Sequence, residues 1–149
     1  MTDFHDRPDW KRAARILVCA GFSVVLLGLL VVVLSIGAGV RRYSDEARKA
    51  FPGDRVTALM SLVECESCTL SERNHAVWAL GQLADSRALP VLRKRYTGGT
   101  CDHTCALCQY ELGKALRLVE RGRNPSAFLW RWMLGSVFPT APTPPGGRV

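Results

Sequence analysis

Cysteine is the residue type with the most chemistry to offer in this chain. Cys65-Glu66-Ser67-Cys68 holds two thiols two residues apart, and Cys101, Cys105 and Cys108 follow as a second cluster with His103 among them. Two such Cys-x2-Cys knuckles separated by a structured insert are the usual way to build a tetrahedral thiolate site for zinc. The simplest set is Cys65, Cys68, Cys105 and Cys108, with Cys101 and His103 as alternates, and the cofactor it predicts is one structural zinc ion. In an oxidising compartment the same residues read as disulfides, each contributing about 2–4 kcal/mol, and then no cofactor is expected. The spacing of Cys101, Cys105 and Cys108 also suits an iron–sulfur cluster, with Cys65 or Cys68 as fourth ligand. All three chemistries stay open at this level.

The frame that must position these thiols is all-α. Asp54 stands as an N-cap ahead of Val56, Leu59, Met60, Leu62 and Val63, which share one helical face. Thr69-Leu70-Ser71-Glu72 reads as a capping box before Ala76, Val77, Leu80 and Leu83. A further helix opens at Asp85 or Ser86, accommodates Pro90 in or just after its first turn, and stops at Gly98-Gly99. The next runs from about 104 to 121 with Leu107, Leu112, Leu116 and Val119 inward, and Gly122 ends it. Asn124-Pro125 starts a last amphipathic, aromatic segment within 123–138, expected to cap the stack or to lie in a membrane interface. The Pro- and Gly-rich tail 139–149 carries too little apolar content to fold.

Arg73 to Leu92 reads Arg-x-x-Ala-x-x-Ala-Leu-Gly-x-Leu-x-Asp-x-Arg-Ala-x-Pro-x-Leu, and this stretch resembles a HEAT-like repeat of the kind found in phycobilisome lyases. A fainter copy follows at an offset of 36, where Ala79-Leu80 falls on Ala115-Leu116 but Arg73 falls on Gln109. Arg55 to Val63 is an incomplete preceding unit. The resemblance implies a short α-solenoid of two to three HEAT-like helical hairpins over 54–122, each hairpin burying its apolar face on its neighbour. Connections on one edge of such a stack recur, so Cys65 and Cys68 are expected beside the 101–108 loop. The resemblance also implies protein–protein interaction rather than catalysis.

Residues 16–40 contain no charge, Pro, Asn or Gln. As a helix they would be about 37 Å long, enough for a single-pass transmembrane helix and too long for a signal peptide's apolar region. Within them Ser35 and Gly39 form the small-xxx-small spacing that lets another helix approach. A polar, basic N-terminus (1–15) precedes the span, and a juxtamembrane linker (41–53) is expected after it. Arg7, Lys11, Arg12 and Arg15 on one side face Arg41, Arg42, Arg48, Lys49 and Arg55 on the other, so the side of the membrane is not assigned. The net charge of +7 falls mostly after residue 40, which favours anionic lipid. No nucleic-acid motif accompanies it, so nucleic acid is not an expected partner. A phosphate loop, a nucleophile elbow and the Cys-x2-Cys-His signature of c-type haem are also missing from the sequence. The sequence therefore predicts a membrane-anchored, non-enzymatic scaffold or accessory subunit whose partners are the bilayer and other subunits of a membrane complex, with a metal or redox module as the alternative.

Overall fold

The computed structural model describes residues 10–101, 106–122 and 124. Regular structure among them is wholly helical: α1 (Trp10–Ala50), α2 (Arg55–Glu64), α3 (Leu70–Leu83), a 3-10 turn (Ser86–Ala88), α4 (Leu89–Arg95) and α5 (Gln109–Arg121). The 123–138 segment (but for Asn124), the tail 139–149 and His103 and Cys105 lie outside the described residues.

α1 is a single uninterrupted helix with two environments. Ile16, Leu17, Phe22, Val25 and Leu29 project away from the rest of the protein, and α1 is long and apolar enough to cross a membrane. Its last third does something else. Gly37, Val40, Ser44 and Ala47, spaced by three, four and three residues, form a buried stripe against α2 and α3. The expected linker at 41–53 is therefore helix as far as Ala50. Arg41 and Arg42 do not end it, because their side chains stay exposed and pair one turn on with Asp45 (3.9 Å) and Glu46 (3.0 Å). Pro52 does end it, since the residue before a proline is pushed out of the helical region.

In chain order the helices pair as α1 with α2 and α3 with α4, and α5 opens a third unit; the close packing is of α1 on α2, α2 on α3, α3 on α5 and α4 on α5. The helix that the sequence pattern lacks in front of Arg55 is supplied by α1. α3 lies at the centre, packed on α1, α2 and α5, and Leu59, Leu80, Leu92 and Leu112 are fully buried around it. Burial of each contributes roughly 2 kcal/mol. Two glycines set the helix spacings. A Cβ on Gly81 would lie 2.9 Å from the Ala115 backbone, so α3 and α5 touch main chain to main chain there. Gly39 leaves room for the Trp78 ring, 3.2 Å from where its Cβ would be. The small residue in the apolar helix thus receives a side chain of its own domain.

The local start signals act as read. Asp54 Oδ1 accepts the Thr57 N–H (2.9 Å), and Thr69 and Glu72 form the reciprocal capping box. α5 begins at Gln109, later than the expected 104, with Cys108 as its N-cap. Cys101 and Cys108 therefore belong to the connection and not to the interior of the helix.

Candidate functional site

α2 ends at Glu64, and Cys65 is its C-cap, with its N–H on the Leu62 carbonyl. Cys68 stands immediately before Thr69, the N-cap of α3. The tight connection folds the two sulfurs together, and Cys65 and Cys68 form a disulfide with Cα atoms 5.4 Å apart. Arg73, in the first turns of α3, donates from Nε to the Val63 carbonyl (3.1 Å) and ties the start of α3 to the end of α2. The last turn of α4 reaches the same place: Lys94 pairs with Glu64 (3.0 Å), and Arg95 donates to the Glu64 carbonyl (3.5 Å).

The second cluster is organised by Gln109. Its side-chain oxygen accepts the Thr97 N–H (2.8 Å), and its Nε2 donates to the carbonyls of Arg95 (3.3 Å) and Leu107 (3.2 Å). Asn74 Oδ1 accepts the Cys108 N–H at 3.0 Å and fixes that residue against α3. The result brings Cys101 and Cys108 together with their sulfurs 3.0 Å apart. Cys101 Sγ also accepts the Tyr110 N–H (3.1 Å) in the first turn of α5. The Cys108 thiol and the Tyr110 amide both favour the thiolate, which holds the Cys101 thiol below its ordinary value. Burial, and the hydrogen bond to Cys101, push the Cys108 thiol up.

The two connections do lie at one edge, through Arg95, Asn74 and Gln109, but the thiols divide into separate pairs along it. Cys65 and Cys68 are bonded to each other, Cys108 faces Cys101, and Cys105 and His103 are outside the described residues. Among the described residues no three His, Cys, Asp or Glu side chains gather as a metal site would require. Sequence reasoning missed Asn74 and Gln109, yet one signal for Gln109 was present. At the offset of 36 it takes the place of Arg73, and both side chains donate to a carbonyl at the end of the preceding helix, Val63 for one and Arg95 for the other. The apparent departure from the repeat pattern keeps the same bond.

His75 stacks on Tyr43 with ring centroids 4.3 Å apart and planes 9° from parallel. Together with Glu46, Phe51, Cys68 and Glu72 these rings line a cleft of about 120 Å³ between α1 and the disulfide. Arg87 joins Asp54 and Asp85 at the opposite side of the hairpin. Asp85 itself caps the 3-10 turn by accepting the Arg87 N–H (2.9 Å). Ala76, Ala79, Leu80, Ala88 and Leu92 are all buried, so the patterned positions between 73 and 92 are committed to packing, capping and pairing.

Residues 72–96 match the family model described as PBS lyase HEAT-like repeat. The chain carries a HEAT-like repeat. The match spans α3, the 3-10 turn and α4, which is the second hairpin of the stack. Comparison with curated proteins and with solved structures gave no match. A HEAT-like hairpin is a unit of protein-interaction scaffolds, and its buried face is completed by its neighbours.

Proposed function

We propose that the chain is a single-pass membrane protein whose short HEAT-like stack serves as an interaction scaffold, an accessory subunit that other members of a membrane complex bind. The observation that carries this reading is the continuity of α1, whose exposed apolar part and core-forming part belong to one helix. Whatever holds residues 16–34 holds the stack, because Val40 and Ala47 are sealed among α2 and α3. A bilayer is the medium in which such an apolar helix surface is stable. The stack's outer surface is polar and basic, with Arg48, Arg93, Lys94 and Arg117 exposed on three different helices.

The test places a photo-reactive amino acid at Arg48, Arg93 or Arg117 in cells and follows the protein through an alkaline carbonate wash. Retention in the membrane pellet and a discrete, heavier adduct from at least one position are expected. Release by carbonate, or the lack of any adduct at all three positions, overturns the reading.

A further inference from the structure

The scaffold leaves one reactive arrangement unused. Cys101 and Cys108 face each other as free thiols with sulfurs 3.0 Å apart, while Cys65 and Cys68, along the same edge, are already joined. The two free thiols are not equivalent. Cys101 is half-buried, whereas Cys108 is buried at the N-cap of α5, with its N–H on Asn74. The Tyr110 amide points at Cys101 Sγ, so a backbone donor in the first turn of a helix thirteen residues long stabilises charge on that sulfur. A less buried sulfur held by a donor, in contact with a shielded one, is the geometry of an attacking and a resolving thiol.

We propose that Cys101 and Cys108 are a thiol–disulfide exchange pair, Cys101 attacking and Cys108 resolving, whose substrate is a solvent-accessible disulfide. In the first step the Cys101 thiolate attacks one substrate sulfur. The substrate S–S bond breaks, its electron pair leaves on the other sulfur, and that sulfur takes a proton to become a thiol. In the second step Cys108 gives up its proton and attacks Cys101 Sγ, the mixed disulfide breaks, and the second substrate thiol departs with a proton. Two protein thiols are oxidised to one disulfide, and one substrate disulfide is reduced to two thiols. A dithiol reductant runs the sequence backwards.

The experiment uses the full chain in detergent, reduced mildly and then given a brief, substoichiometric pulse of an aromatic disulfide before acid quenching and peptide mapping. A Cys101–Cys108 bond is expected as the first product, formed at least tenfold faster than glutathione reacts. Cys108→Ser should trap the reagent on Cys101, and Cys101→Ser should remove the fast phase. Oxidised glutathione and a disulfide-bridged peptide, each supplied in turn, distinguish a small-molecule substrate from a polypeptide one. First modification at Cys105 or Cys19, a rate equal to that of glutathione, or one zinc ion per chain released when the pair is modified would each overturn the proposal. The mapping on the unsubstituted chain decides the matter even where a serine variant does not fold.

Discussion

Arg87 joins two helix starts, its guanidinium 2.8 Å from Asp54, the N-cap of α2, and 2.8 Å from Asp85, the cap of the 3-10 turn. Partial burial raises the Asp54 carboxyl, but the hydrogen bonds from Thr57 and Arg87 outweigh it and hold the group below the usual carboxylate range. Asp85 is lowered too, first by its hydrogen bond to Arg87. Both carboxylates thus bind a proton less readily when folded. Their stabilising contribution is complete above the unfolded value near pH 4 and disappears as the pH falls through the lower folded values. Arg87→Met should therefore cost about 1 kcal/mol at pH 7, a modest figure because the pairs are partly exposed. The difference from the parent should shrink as the pH falls below the ordinary carboxylate range and through the lower folded values, which denaturant melts at a series of acidic pH values would measure. A constant difference at every pH would mean that Arg87 acts by packing alone. At this scale the sequence was readable wherever the partner lies within three residues, as for Asp54 with Thr57 or Thr69 with Glu72. It was not readable for Cys101 with Cys108, whose meeting depends on Gln109 and Asn74 holding the ends of a connection.

Among the elements, α1 is where sequence and structure part. The charges at Arg41 and Arg42 mark where a surface turns polar, and they say nothing about where the backbone stops being helical. The termination signal was Phe51-Pro52, ten residues on, and the stripe of Gly37, Val40, Ser44 and Ala47 was hidden because its first half lies in a uniformly apolar run. Ser44 shows that this stripe is built for burial, since its hydroxyl donates to the Val40 carbonyl at 2.6 Å and leaves no unpaired polar atom. Two deletions separate the roles of the helix. A chain lacking residues 1–34 keeps the whole buried stripe and should melt cooperatively by circular dichroism. A chain lacking residues 1–50 uncovers α2 and α3 and should lose more than about 3 kcal/mol, leaving no cooperative transition. Equal melting of the two would remove α1 from the domain core. The central hairpin was legible in its caps and buried face by contrast, because those positions follow a pattern that the HEAT-like repeat shares, though Asn74 within it was missed.

For the whole molecule, the packing of α1 fixes how close the stack stands to the proposed bilayer. Residues 16–34 supply the exposed apolar length, about 28 Å as a helix, which matches a hydrocarbon core of roughly 30 Å. Contact with the domain begins at once, for Val33 and Ile36 already pack on its core. Neither fact is visible in the run 16–40 taken alone, where nothing distinguishes residues left exposed from residues that face the domain core. Gly39 lies about 7 Å further along the axis, and it carries Trp78 against it, edge-on to Tyr43 with centroids 6.0 Å apart. Trp78 should then sit at headgroup depth, the level that tryptophan favours. With Trp10, Trp130 and Trp132 replaced by Phe, Trp78 is left as the sole tryptophan fluorophore, and the chain can be placed in vesicles carrying nitroxide lipids. A nitroxide at the headgroup should quench it strongly and one deep in the acyl chains only weakly. Quenching by neither label would mean that the stack stands clear of the membrane, and a rigid helix joined to the core in this way would leave no room for that.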